Sequence, residues 1–363
     1  MHDPSSAAAE ALARKVHSAG QAQAPALSLA VARPDGIVWS AAYGKADLEF
    51  DVAATPEHLF RLGSVSKVIT TTAAAKLVTR GMLDLDAPIA YYLPDLPEHH
   101  RATTTRQLLT HQGGVRHYVA KDYDLAAPGG PMYLRRYNSN ADILALFIDD
   151  LLIAAPGEKV SYSSYGYSLA SMVLEAAACQ PFLTLVEDEI ARPFGLPSLL
   201  PDEPLAIVPL RATGYMAEFD RNMLFPPDSA RPPLVDGYCR IPQCTPAFCW
   251  AGAGFLMTPA DCARFGAALL EGPAAKIGYA ERELLFTQLT EPCQNTPALG
   301  LGWRLDKDAK GRRRWHHAGS TPGGRFGLAI YPDLGLSVAL AGNLIIAPAD
   351  VLGPAAGLAD IFG

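Results

Sequence analysis

Phe60-Arg61-Leu62-Gly63-Ser64-Val65-Ser66-Lys67 sets a serine and a lysine three residues apart at the head of an Ala- and Thr-rich apolar run. From Ser66 to Arg80 the run reads as a helix, with Gly63-Ser64 leading into it and Gly81 stopping it. Three residues is nearly one helical turn, so Ser64 and Lys67 fall on one face. A serine hydroxyl becomes a useful nucleophile only when a neighbour takes its proton, and a helix N-terminus adds partial positive charge and free N–H groups. Ser64 is therefore the candidate nucleophile and Lys67 the candidate proton handler. Taken alone, the stretch reads equally well as a capping serine beside a solvated lysine. Two later stretches decide between these readings.

The first is Pro156-Gly157-Glu158-Lys159-Val160-Ser161-Tyr162-Ser163-Ser164-Tyr165-Gly166-Tyr167. Tyr162 follows a Pro-Gly turn and precedes an apolar helix, so its hydroxyl can project from a loop, although a lone tyrosine is more often a core residue. The second is His316-His317-Ala318-Gly319-Ser320-Thr321-Pro322-Gly323-Gly324. Its glycines allow close backbone approach, and the exposed N–H groups of a strand edge can bind an oxyanion. In isolation it is an ordinary Gly-rich turn.

Around these stretches, the chain has 363 residues, of which 49% are hydrophobic, enough for one large composite domain or two subdomains with a sizeable core. Its net charge of −7 comes without basic blocks, which argues against nucleic acid or an anionic membrane as partner. No apolar run reaches transmembrane length, and Met1–Gly20 carries His, Asp, Glu, Arg and Lys where a signal peptide would be apolar. As written the chain reads as cytoplasmic, or as periplasmic or organellar if a leader has been removed. Six cysteines are too few for a disulfide scaffold, and Cys239, Cys244 and Cys249 are spaced by five, so free thiols are expected, with a local disulfide among these three as the lesser alternative. His99-His100, His111 and His117 form no recognisable ligand pattern, so neither a metal nor another cofactor is expected. Oligomeric state is left open.

Period and punctuation predict a helix from Ser6 to Ser18, a half-buried strand at Leu27–Val31, a turn at Arg33–Gly36 and a return strand at Ile37–Tyr43. The middle carries few strand signals. It offers a loop or lid at Tyr123–Tyr137, a helix near Asp142–Leu152 and a proline-rich belt from Phe225 to Pro233. Strands return at Leu299–Leu305, Phe326–Tyr331 and Leu336–Ala341. The order points to an α/β (α+β) fold: an antiparallel sheet built from both chain ends and flanked by helices, with a mainly helical subdomain inserted. Residues 1–363 are expected to form one domain, with an α/β part over roughly 1–80 and 240–363 and a helical and loop part over roughly 81–239.

The three stretches, in this order, resemble the serine β-lactamase and penicillin-binding-protein superfamily, in which S-x-x-K, a tyrosine-centred loop and a K-T-G or H-x-G strand line one cleft. The chain is most similar to the class C-like serine hydrolases, among them the mitochondrial β-lactamase-like serine proteases and their bacterial relatives. Leu108-Leu109-Thr110-His111-Gln112-Gly113-Gly114-Val115-Arg116-His117-Tyr118 and Trp250–Asp261 support the likeness. The resemblance implies Ser64 as acylated nucleophile and Lys67 with Tyr162 as the proton-transfer pair. It implies the N–H groups of Ser64 and Ser320 as oxyanion hole, with His317, Gly319 and Ser164 beside the substrate. Free Lys and Tyr have pKa values near 10.4 and 10, so holding either one deprotonated at pH 7 without help costs roughly 4 kcal/mol. Paired, they share one proton.

Two departures bear on substrate. The loop reads Tyr162-Ser163-Ser164 where β-lactamases have Y-x-N, and Ser164 offers no amide to a substrate's acylamino group. His317 stands where those enzymes have lysine, and a neutral imidazole attracts a carboxylate less than an ammonium does. The reading is a serine hydrolase acting on small esters or on peptides and amides, with weak or no β-lactam turnover. The alternatives are a true β-lactamase or D-amino-acid peptidase of the same fold and, in another class, a non-hydrolysing β-lactam sensor or assembly protein. Gly166-Tyr167-Ser168-Leu169-Ala170 imitates a nucleophile elbow, but Ser168 falls inside a helical run and is assigned to helix packing.

Overall fold

Leu27, Leu29 and Val31 point to one side of their strand and Ala26, Ala30 and Ala32 to the other, and these two sets decide what packs on each face of the main sheet. The computed structural model of the chain describes residues 4–19, 23–218, 231–293 and 296–363. Strands β1 (Ala26–Arg33), β2 (Gly36–Asp47) and β3 (Val52–Ala53) come from the beginning of the chain. Strands β9 (Ala298–Leu299), β10 (Arg304–Lys307), β11 (Arg313–Thr321), β12 (Gly324–Tyr331) and β13 (Leu336–Gly342) come from its end. Together they form an eight-stranded antiparallel sheet in the order β3-β2-β1-β13-β12-β11-β10-β9. The ends of the chain meet where Leu29 lies opposite Leu340 and Val31 opposite Val338.

The large side chains of β1 and β13 face the Pro4–Ser18 and Leu352–Phe362 helices, with Ala9, Ala13, Ala355 and Leu358 buried among them. The small side chains face the Pro259–Ala268 helix, whose Gly266 lies so close that a Cβ there would stand 2.2 Å from Ser337 Oγ. Leu27–Val31 is thus buried on both faces rather than half-buried. Alternation in this strand separates large from small residues, not inside from outside.

Between the two sheet-forming segments lies the Ser66–Thr79 helix, entered through a 3-10 turn at Gly63–Val65, and the Ser164–Ala178 helix packs against it. Short strands β4 (Phe60–Arg61), β5 (Leu200–Pro201) and β8 (Phe255–Met257) make a small sheet of their own, and β6 (Tyr215–Ala217) pairs with β7 (Tyr238–Arg240). Two- and three-residue strands carry too little period to be read in advance.

Other boundaries move for identifiable reasons. The helix expected near Asp142–Leu152 is the Asn140–Leu144 helix, capped by Ser139. Beyond it the Leu146 carbonyl and the Asp150 carboxylate are both taken by Arg116, and the chain turns away. The expected strand Leu299–Leu305 splits into β9 and β10, because Gly302 adopts a φ of +76° beside Thr71 and Tyr167. The segment Tyr123–Tyr137 is irregular apart from its first residue, which ends a 3-10 turn at Ala120–Tyr123, and a 3-10 turn at Met132–Leu134 that buries Met132 and Tyr133. Of the proline-rich belt, residues 225–230 lie outside the described residues, and Pro232-Pro233 form no regular element. No disulfide links any of the six cysteines, so the local disulfide among Cys239, Cys244 and Cys249 does not form. Among the described residues no single helix is long and apolar enough to cross a membrane.

Candidate active site

The site begins with two glycines that let strand β11 press against the head of the Ser66–Thr79 helix. A Cβ on Gly319 would lie 2.0 Å from Leu62 O and 2.7 Å from Ser64 N, and one on Gly63 would lie 2.9 Å from Ser320 N. The peptide groups of Ser64 and Ser320 therefore sit side by side. Arg61 fixes this contact from behind, donating from Nε to Asp202 (2.6 Å) and from Nη1 to Pro322 O (3.3 Å) in the turn after β11. The two glycines thus bring the backbone of Ser320 up against that of Ser64 at one edge of the site.

Three segments far apart in sequence converge on Ser64. Its Oγ accepts from the Tyr162 hydroxyl at 2.7 Å and from Lys67 Nζ at 3.3 Å. Lys67 is fully buried and donates in addition to Ser164 Oγ (3.1 Å) and Gly252 O (2.8 Å). Among the described residues no carboxylate pairs with it. Its ammonium lies 4.9 Å from the centre of the Tyr162 ring and 5.1 Å from that of Tyr167. Burial pushes the Tyr162 phenol up, but the charge of Lys67, hydrogen bonding with Lys67 and Ser64, and the charge of Arg304 outweigh it and hold the group below the ordinary tyrosine value. The loop ends where Ser163 caps the Ser164–Ala178 helix, its Oγ accepting from Gly166 N at 2.9 Å.

The remaining sequence-derived candidates divide. Ser164, at the first turn of that helix, is buried and turned toward Lys67. His317 is buried on β11, its Nδ1 bonded to Ala318 O at 2.9 Å. Burial, then the charges of Arg304 and Lys67, hold its imidazole neutral, well below the ordinary histidine value. The Ser320 hydroxyl is engaged by the Arg325 guanidinium. Ser168 is buried in mid-helix and bonded to Phe248 O at 2.7 Å, in keeping with helix packing.

Sequence reasoning missed several groups. Gly252 contributes a carbonyl from the Trp250–Ala253 helix, in a segment quoted above only for its likeness. Arg304, on β10 opposite His316, shapes the field at Tyr162 and His317. His111 and His117 flank Tyr162, with ring centres 4.4 and 5.3 Å away. Their absence from any metal pattern gave no hint of that position.

Comparison with known proteins bears on family and fold. Residues 9–351 match the protein family described as Beta-lactamase. The chain is 27% identical to the serine beta-lactamase-like protein LACTB, mitochondrial, of Homo sapiens over 80% of its own length and 62% of that protein's. It thus spans about three fifths of that relative. It is 32% identical to esterase EstB of Burkholderia gladioli over 46% of this chain and 44% of that one. The solved structure of D-amino acid amidase from Ochrobactrum anthropi SV3, complexed with L-phenylalanine amide, superposes with a TM-score of 0.82 at 23% identity, covering 98% of both chains. That likeness carries the fold.

Proposed function

This chain belongs to the beta-lactamase family, and from that premise we propose that it is a serine hydrolase working through an acyl-enzyme on Ser64. The observation that carries the reading is the pair of contacts on Ser64 Oγ, from Tyr162 and from a buried Lys67 that has no carboxylate partner among the described residues. In the resting arrangement both neighbours donate to Ser64. Reaction needs the reverse, a phenolate at Tyr162 that accepts the Ser64 proton, and the Lys67 charge favours that form. Ser64 Oγ then attacks the substrate carbonyl, and negative charge gathers on the carbonyl oxygen between the N–H groups of Ser64 and Ser320. Collapse expels the leaving group, which takes the proton held by the Tyr162–Lys67 pair. Water repeats the sequence to free the acid and restore Ser64.

For substrate we infer small esters, or peptides and amides, in preference to β-lactams. Ser164 spends its hydroxyl on Lys67, and His317 is neutral, so the amide and the ammonium that would hold a β-lactam's two polar handles are both missing. A charge-assisted hydrogen bond is worth about 1.5–3 kcal/mol, on the order of ten- to a hundredfold in rate. The family's esterase, amidase and peptidase members support the class of reaction. Intact-mass analysis after fluorophosphonate treatment tests the nucleophile: wild type and Ser168→Ala take one label, and Ser64→Ala takes none. A label on Ser64→Ala overturns the assignment. Comparing kcat/KM for p-nitrophenyl butyrate, an aminoacyl anilide and nitrocefin tests the substrate preference, and nitrocefin as the best of the three would reverse it.

A further inference from the structure

Tyr162 lies in a loop, and a loop tyrosine holds its hydroxyl at 2.7 Å from a nucleophile only if its backbone is fixed. The backbone N–H groups around it go to two histidines. Ser161 N donates to the His111 carbonyl at 2.7 Å, Ser163 N donates to His111 Nδ1 at 3.2 Å, and Ser164 N donates to His117 Nδ1 at 3.2 Å. The rings also wall in the phenol: His111 lies tilted over Tyr162 and Tyr167, at 4.4 and 5.3 Å, and His117 meets Tyr162 edge-on at 5.3 Å. His111 does this from a left-handed backbone, φ +61°, a conformation unfavourable for a residue with a Cβ and one that clusters at functional sites.

We propose that His111 and His117 are positioning residues for Tyr162, each serving as an obligatory neutral acceptor for a backbone N–H that follows the tyrosine. Because a backbone N–H can only donate, each Nδ1 must be unprotonated and each ring proton must sit on Nε2. An imidazolium has no acceptor, so protonation would both break the clamp and add a cation beside Lys67. The charged and titratable groups facing the two rings are Lys67 on the Ser66–Thr79 helix, Arg304 on β10, His317 on β11, Arg116, Asp122 and Tyr118 on their own segment, the last with its ring 4.3 Å from that of His117, and Tyr162 with Tyr167. Of these only Asp122 favours a charged His117, and its carboxylate is already committed to Arg116. Burial, followed by the Lys67 charge, pushes His117 down to about 4 and His111 well below the ordinary value, so both rings are neutral across the physiological range.

The inference rests on the acyl-enzyme reading for its catalytic consequence, and the experiment separates the two. His117→Leu removes the acceptor, whereas His117→Asn puts an amide oxygen near the place of Nδ1 without a titrating group. Rates of Ser64 labelling by a fluorophosphonate, measured from pH 3.5 to 8, are expected to fall ten- to a hundredfold in His117→Leu and to recover at least tenfold of any hundredfold loss in His117→Asn. The acid limb of wild type, falling below about pH 5, is expected to be absent from His117→Asn. A His117→Leu protein with the wild-type rate, or His117→Asn no better than His117→Leu, overturns the proposal. Long-range 15N–1H spectra of wild-type imidazoles at pH 5.5 give a readout that needs neither activity nor a folded variant. Neutral His111 and His117 with the proton on Nε2 support the clamp, and a proton on Nδ1 or titration near pH 6.5 overturns it. Failure of wild type to label at Ser64 would defeat the acyl-enzyme reading and leave the clamp to be decided by these spectra.

Discussion

Arg116 and Lys67 are both buried cations, and they are held in opposite ways. The Arg116 guanidinium is saturated: Asp150 takes its Nε at 2.6 Å, Asp122 takes Nη1 at 2.7 Å and Nη2 at 3.2 Å, and the carbonyls of His117 and Leu146 take the rest. Burial alone would lower its pKa, but bonds to Asp122 and Asp150 reverse that and raise it. Lys67 is as deeply buried and has a backbone carbonyl and two hydroxyls for partners, with no carboxylate among the described residues. A charge matched by carboxylates is committed to structure. A charge matched only by dipoles keeps its field available for a neighbour's proton, and here that neighbour is Tyr162.

The comparison is most sharply broken by exchanging the roles. Lys67→Met should lower Ser64 acylation at least a thousandfold, about 4 kcal/mol in barrier, with the melting temperature unchanged or raised, because it leaves no buried charge unpaired. Tyr162→Phe should cost acylation a similar factor, and the double variant little more than either single one. Full additivity in stopped-flow labelling would deny that the pair acts as a unit.

Arg116→Met should do the opposite. It leaves Asp122 buried without its partner, and a loss of about 3–5 kcal/mol in urea unfolding is expected, with any activity loss following stability. A stable Arg116→Met with crippled acylation would erase the distinction drawn between the two cations.

The histidines between them set a pH dependence. His117 has a folded pKa near 4, below the unfolded value of about 6.5, so the unfolded chain binds its proton first as pH falls. Its contribution is complete above about pH 6.5 and is lost between there and pH 4, amounting to up to about 3 kcal/mol. His111, His316 and His317 shift the same way. Urea midpoints measured from pH 7 to 4.5 should therefore drop, and His117→Asn should flatten the drop. The smallest effect expected is at His317. Burial and the Arg304 and Lys67 charges that keep it neutral would also resist an ammonium, so His317→Lys should raise nitrocefin turnover relative to p-nitrophenyl butyrate by no more than about tenfold.

Much of this was legible in the chain because it is local. The three-residue spacing put Ser64 and Lys67 on one face, the Pro-Gly turn and the apolar run after it placed Tyr162 in a loop before a helix, and alternation at Leu27–Val31 marked a strand. Lys67 and Gly252 O, 185 residues apart, meet only because the Trp250–Ala253 helix packs on the nucleophile helix. The side-by-side peptides of Ser64 and Ser320 exist because two glycines admit β11 at that height. The histidine clamp depends on a left-handed backbone at His111 that no pattern of residue types announces. By itself, then, the sequence determined which groups lie near one another along the chain and what each of them can donate or accept, since period and spacing are properties of neighbours along the chain. Only the tertiary structure decided which of those groups are charged, which are paired and which face Ser64, because burial and hydrogen-bond partners are set by segments that are distant in sequence and come together on folding.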